Sequence, residues 1–251
     1  MISPANDFRS VSDFVETALQ ADDDDAARNA VAALHWRSAI ETLERAIACT
    51  RSVDPALREC GANILAQLGV PERTFPDQCF LALLPLLSDD VEQVVAAAVY
   101  ALHYIDSARG AAHIILVAGH EDEDIRHAVA FGLGGVDTPA AYITLLTLMQ
   151  DRDADVRNWA TFGIGQQCDA DNAQIRKALA SALSDDDDDV RREGVIGLAL
   201  RRDVRAVPYL TRMLHDDPDD ILAQYSAARL LGCDEGQEVA PSNLLAALQR
   251  L

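Results

Sequence analysis

Two stretches of the 251-residue chain crowd carboxylates closely enough to hold a hard cation: Asp151-Arg152-Asp153-Ala154-Asp155 and the run Asp185–Asp189. A calcium loop also needs glycine at its sixth position and glutamate at its twelfth. Counted from Asp151 those positions hold Val156 and Phe162; counted from Asp185 they hold Val190 and Ile196, so the pattern fails. None of the histidines (His35, His103, His113, His120, His127, His215) belongs to an HExxH motif. His120 and His127 flank the acidic turn Glu121–Asp124, where solvated turn residues are the simpler reading than metal ligands. There is no GxSxG elbow, no P-loop and no dinucleotide fingerprint, and Gly132, Gly134, Gly135, Gly163 and Gly165 fall near helix ends. The expectation is no identifiable catalytic group, no metal and no cofactor.

Whatever the chain does, it does with 41 acidic residues against 21 Lys and Arg, a formal net charge of −20. Polyanions are bound through clustered Lys and Arg, so nucleic acid and anionic membrane surfaces are excluded as expected partners. The charge-free stretches Gln93–Ile105 and Thr138–Gln150 end well short of the roughly 20 residues a membrane-spanning helix requires. Met1–Arg9 has no basic region followed by an apolar core, so no secretory signal is expected. The five cysteines, Cys49, Cys60, Cys79, Cys168 and Cys233, are odd in number and form no CxxC pair. They read as free thiols in a reducing, cytoplasmic setting.

The elements that must position any site come from an internal repeat. A phrase of acidic residues, an aliphatic residue, often Arg, then small residues and Leu or Ile recurs along the chain. It stands as Asp54-Pro55-Ala56-Leu57-Arg58, Asp124-Ile125-Arg126, Asp155-Val156-Arg157 and Asp189-Val190-Arg191, with weaker copies at Asp90-Val91, Asp220-Ile221 and Ala26-Ala27-Arg28. The aliphatic anchors Ala27, Leu57, Val91, Ile125, Val156, Val190 and Ile221 follow one another at 30 to 34 residues, a period of stacked helix pairs.

One unit shows what a repeat contains. Thr138 is placed to cap a helix that Pro139 opens, and Tyr142, Leu145, Leu146 and Met149 form one helical stripe. The polar run Asp151–Asp155 breaks the pattern, and a second helix follows with Val156, Ala160 and Ile164 on one face. The predicted units are residues 7–36, 38–69, 76–104, 107–135, 138–167, 171–201 and 203–232 within one domain spanning 1–251, and residues 241–251 form a capping helix. Ile114-Ile115-Leu116-Val117 has strand propensity, yet the repeat period demands a helix there.

The motif Asp, aliphatic, Arg, small residues, Leu-Gly, written here as Asp124-Ile125-Arg126 with Leu133-Gly134, resembles the HEAT-repeat superfamily. It is closer to the short bacterial HEAT-like repeats of the phycobiliprotein-lyase type. The resemblance runs from about Phe8 to Leu251. It implies an all-α, right-handed α-solenoid of about seven antiparallel helix pairs plus the C-terminal cap, with each pair's second helix lining a concave surface. The departures are Val91 and Ile221, which lack the following Arg, and Ala27, a poor anchor.

More than half of the acidic residues sit in the turns before second helices. There they form turns, cap helices and oppose the helix dipole. An Arg after the anchor (Arg28, Arg58, Arg126, Arg157, Arg191) can pair with an Asp of its own or a neighbouring turn, so Asp124, Arg126, Asp155, Asp189 and Arg191 are read as members of a ladder between repeats. As a set, the acidic turns would also attract a basic protein surface.

On the implied inner helices, the third and sixth positions after an anchor lie off the anchor stripe. Those positions hold Trp159, Phe131 and Phe162, and beside them stand Asn158, Arg157, His127 and Arg192. Aromatic and Arg side chains are enriched where interfaces draw their energy, so these seven form the candidate binding set, with packing between repeats as their alternative use. Tyr104, His103, His35 and Trp36 end their helices and are weaker candidates. The expected function is a non-catalytic scaffold or adaptor holding a protein or peptide in the concave groove. The alternatives are a lyase-like or chromophore-handling enzyme, and an inhibitor or subunit of a basic partner.

Overall fold

The computed structural model describes residues 9–21, 23–37, 39–233 and 239–251. Phe8, Asp22 and most of the stretch between Cys233 and Ala240 lie outside the described residues. Every regular element among the described residues is helical, and none of these helices is long and apolar enough to cross a membrane.

Residues 1–133 form one compact unit and residues 134–251 a second. The first contains α1 (Val11–Gln20), α2 (Asp24–His35), α3 (Ile40–Thr50), α4 (Pro55–Ala66), α5 (Pro76–Leu83), α6 (Glu92–Ile114) and α7 (Glu123–Leu133). Within it α1 packs on α2, α3 on α4, α5 on α6 and α6 on α7. The second helices α2, α4 and α6 also touch in succession, as do the first helices α1, α3 and α5. The second unit contains α8 (Pro139–Leu148), α9 (Ala154–Gln166), α10 (Ala173–Ala182), α11 (Asp188–Leu200), α12 (Val207–Asp216), α13 (Ile221–Leu231) and α14 (Pro241–Leu248). Its pairs are α8–α9, α10–α11 and α12–α13; α9, α11 and α13 touch in succession, and α14 closes the stack against α12 and α13. Each unit is therefore an all-α stack of antiparallel helix pairs, the solenoid plan that the repeat period predicts.

Local chemistry explains the helix boundaries. Ser10, Thr138 and Asn172 cap first helices through their side-chain oxygens. Asp23, Asp54, Asp153, Asp187 and Asp220 cap second helices the same way, and Asp122 accepts the Ile125 N–H. Acidic residues thus satisfy the orphan amides of the first turn and oppose the positive end of the dipole. Pro85 cannot donate to the ladder, and the helix that Pro76 opens continues past Leu83 only as the 3-10 turn Leu84–Ser88.

Helix α6 belongs to two pairs. Asp106 breaks it with extended backbone (φ −162°, ψ 92°), and its Oδ1 accepts the Arg109 N–H at 3.0 Å. The residue acts as an internal N-cap, so the segment after it pairs with α7 without an intervening loop. The stretch with strand propensity is helical: Ile114 ends α6 and Ile115–Val117 form one 3-10 turn.

The anchors Ile125, Val156 and Val190 are fully buried, each at the third position of its helix. At three places the register differs from the sequence-based one, the first being Ala27, half-buried at the fourth position of α2. Ile221 is 81% exposed, and Ala223 takes the buried third position of α13. Val91 is the N-cap of α6, and Val94 is the buried residue. At Val91 and Ile221, the acidic residue next to the aliphatic one is not placed as in the well-formed repeats, so the motif points too early. Leu19, near the end of α1, is 39% exposed. Cys49, Cys60, Cys79 and Cys168 are buried free thiols, and Cys233 is half-buried.

The second helices approach closely where both lack a side chain. A Cβ on Gly197 would lie 2.7 Å from Gly165 Cα, so α9 and α11 meet backbone to backbone.

Candidate functional site

Two of the arginines that follow an anchor, Arg58 and Arg157, do two jobs. Arg58 Nη1 donates to the Ser52 and Val53 carbonyls of its own turn, at 3.1 and 3.2 Å. Its Nε and Nη2 grip both oxygens of Asp89 in the next repeat, each at 2.7 Å. Arg157 repeats this in the second unit: Nη1 donates to the Asp151 and Arg152 carbonyls, while Nε and Nη2 hold Asp185 at 2.9 and 2.8 Å. Arg126 donates to the carbonyls of His120 and Glu121 at 2.9 and 2.7 Å. Arg191 donates to the Asp185 carbonyl and pairs with Asp188. Arg28 pairs with Asp25 at the surface.

For Arg58 and Arg157 the partners in the next repeat are the first aspartates of the turn, Asp89 and Asp185, and not the residues just before the anchors. Asp124, Asp155 and Asp189 occupy the second position of their helices, where they point to solvent. Asp89 and Asp185 lie two residues before the N-cap, where each also accepts a backbone N–H, from Val91 and from Asp187. Their Arg partners hold both carboxyls below the usual carboxylate range.

On the first unit, the second helices open a cleft of about 370 Å³. Its lining follows the repeat register. Two places after the third helical residue stand Glu59 on α4, Ala96 on α6 and His127 on α7; six places after it stand Asn63 and Tyr100. The first turns add Glu92, Gln93 and Asp124. Tyr100 OH and His127 Nδ1 are hydrogen-bonded at 2.9 Å. Burial, and then the neighbouring Asp124 carboxylate, push the Tyr100 hydroxyl up. Burial likewise raises Glu59. None of Glu59, Glu92 and Asp124 is in an ion pair among the described residues.

Phe131, six places after Ile125 on α7, stacks edge-on against Tyr100, His103 and Tyr104, with ring centroids 5.3, 5.0 and 6.0 Å away. It is half-buried within this aromatic cluster. His103 Nδ1 meets the Gly132 carbonyl at 3.0 Å, and His35 Nε2 meets the Asn63 carbonyl at the same distance. Both histidines tie one repeat to the next, and burial lowers the pKa of His35. Trp36 is exposed.

In the second unit Trp159 and Phe162 stack edge-on at 5.7 Å, both half-buried on α9. Asn158 is half-buried, and its Oδ1 has no hydrogen-bond partner among the described residues. Arg157 is committed to Asp185, and Arg192 pairs with Asp220 at 2.8 Å. Of the candidate set, His127 and Phe131 therefore share one cluster, Trp159 and Phe162 share another, and the two arginines are internal tethers. Glu59, Asn63 and Tyr100 were not singled out in the sequence. The same count from Leu57 reaches the first two, and Tyr100 emerges once Val94 replaces Val91 as the register residue.

No group of three or more His, Cys, Asp or Glu among the described residues is placed to hold a metal ion. A family model for HEAT repeats matches residues 80–165 and 144–232. The chain belongs to the HEAT-repeat family. A comparison with curated proteins finds no significant match. Among solved structures, this HEAT-repeat chain is similar to the Escherichia coli protein YibA, with 22% identity, TM-score 0.77, and coverage of 97% of this chain and 93% of that one. It is also similar to an archaeal HEAT-like repeat protein from Thermococcus onnurineus NA1, with 13% identity, TM-score 0.53, and coverage of 98% and 99%. The CpcE–CpcF complex of phycocyanin lyase from Nostoc sp. PCC7120 is similar at 15% identity and TM-score 0.51, over 98% of this chain and 96% of that one. At these identities the likeness is one of fold.

Proposed function

We propose that the chain is a non-catalytic HEAT-repeat scaffold that holds an extended peptide or protein segment against its second helices. The observation that carries this reading is the cleft on α4, α6 and α7, lined by the same register positions of successive repeats. A surface built from one position per repeat suits a ligand that itself advances residue by residue, because each helix pair offers one rigid contact. The half-buried aromatic groups Phe131, Trp159 and Phe162 supply area at low entropic cost. A net charge of −20 favours a partner with a basic surface. The likeness to phycocyanin lyase is a likeness of fold, and a chromophore-handling role gains no residue from it.

The test is a library of random decapeptides screened against the intact protein. Selected peptides should slow hydrogen exchange at amides of α4, α6 and α7 and lose affinity in Phe131→Ala. Selection of no peptide, or protection confined to the first helices of the pairs, would sink the scaffold reading.

A further inference from the structure

We infer that the cleft between α4, α6 and α7 is a receptor for one arginine side chain of the bound segment. The inference rests on the scaffold reading above and names the residue type that this part of the surface recognises.

Asp89, Asp185, Asp203 and Asp220 are each gripped by an internal arginine. Glu59, Glu92 and Asp124, which border the cleft, have no such partner among the described residues. Glu59 is half-buried, burial raises its carboxyl above the ordinary value, and no cation among the described residues pairs with it to offset the lost hydration. An incoming cation would supply what the fold leaves out.

The shape of the site selects among cations. The cleft, at about 370 Å³, sits at the small end of ligand pockets. It suits one long side chain better than a large ligand. One wall is the Tyr100 ring, fixed by His127 through its hydroxyl and by Phe131 edge-on. The lining also carries the Glu59, Glu92 and Asp124 carboxylates. A planar guanidinium can lie on an aromatic face while donating from its edge, which a compact ammonium cannot do.

The same molecule contains an internal version of this arrangement. Arg109 places its guanidinium 3.9 Å above the Phe80 ring while Nη1 donates to Asp77 at 2.6 Å. Arg109 shows that ring plus carboxylate is a geometry this chain uses to hold arginine. The cleft offers ring and carboxylate with no arginine of its own among the lining residues.

The experiment titrates acetyl-Gly-Arg-Gly-amide into the 15N-labelled full chain at low salt, with lysine and citrulline peptides as comparisons. Citrulline keeps the shape of arginine and removes its charge. The arginine peptide should give saturable shifts confined to amides around Glu59, Tyr100 and His127, with lysine weaker and citrulline inert. Glu59→Gln combined with Asp124→Asn should weaken the arginine peptide by about tenfold or more, as expected when charge-assisted hydrogen bonds are lost. Glu59→Gln alone serves if the double variant loses its helical circular dichroism. Equal binding of arginine and citrulline, or of arginine and lysine, would overturn the inference. So would shifts spread over all the acidic turns without saturation, or affinity unchanged in the variants. Decapeptides that contain no arginine yet protect α4, α6 and α7 would overturn it too while leaving the scaffold reading intact. Saturable arginine binding with no decapeptide selected would do the reverse.

Discussion

Arg157 clasps Asp185 with two parallel hydrogen bonds, 2.9 and 2.8 Å long, across 28 residues of sequence. Arg58 and Asp89 make the same clasp in the first unit. In each, the guanidinium finishes its own turn with Nη1 and reaches into the next repeat with Nε and Nη2. Both partners are largely screened from water, with side-chain exposures of 17% and 14% for Arg157 and Asp185.

Arg157→Ala should lower the unfolding free energy by about 2 kcal/mol, since hydrogen bonds to a charged group are worth roughly 1.5–3 kcal/mol. Urea denaturation followed by circular dichroism measures it. A change below a few tenths of a kcal/mol would mean that the clasp is geometric decoration.

Gly197→Ala should destabilise by about 1–3 kcal/mol through overpacking. Its new methyl would press on Gly165 Cα at 2.7 Å and on the Leu179 side chain at 2.8 Å. Gly119→Ala is the control, because a Cβ there meets nothing within 4 Å. Comparable thermal midpoints for the two variants would refute the close approach of α9 and α11.

Acid should weaken the fold through the clasped carboxylates. Arg205, with Arg176 behind it, holds Asp203 at a pKa of about 2, against an ordinary 3.8. A carboxyl lowered by folding contributes stability above its unfolded pKa and loses it as the pH falls through the folded value. Asp89 and Asp185 are shifted in the same direction. Thermal midpoints should therefore drop between about pH 4 and pH 2. Asp203→Asn should reduce that dependence; an unchanged pH profile would show that Asp203 does not contribute.

Phe131→Ala in the first unit and Trp159→Ala in the second, made separately, should each weaken binding of the decapeptides selected on that unit and leave the far-ultraviolet helical signal in place. Both rings are half-buried, so some loss of thermal stability accompanies the change. Collapse of the helical signal would assign the two rings to the core. Retained binding would remove them from the interface.

Helix pairing was legible in the sequence because the signals reinforce one another. The anchors Ile125, Val156 and Val190 recur at the repeat period, and each follows an aspartate that caps its helix. Register failed at Val91 and Ile221, where an aliphatic residue beside an acid imitates an anchor but lies two or three places before the buried one. That slip concealed Tyr100. Arg58 and Arg157 clasp the first aspartate of the next turn, whereas the sequence pointed to the acids beside the anchors. Sequence adjacency favours Asp124, Asp155 and Asp189, whereas the outward direction of the second helical position sends those side chains to water. The break at Asp106 was not legible, since one aspartate in an apolar run does not announce that it will cap the segment after it.

The split ownership of each clasp constrains how such a protein can change length. Arginine and acid come from consecutive repeats, so excising Ala154–Gln166 alone would strand Asp185 without its counter-ion. Gene duplication that copies a complete period carries one donor and one acceptor together, whatever its starting point. Growth by whole periods thus keeps each such clasp matched, and growth by fractions does not.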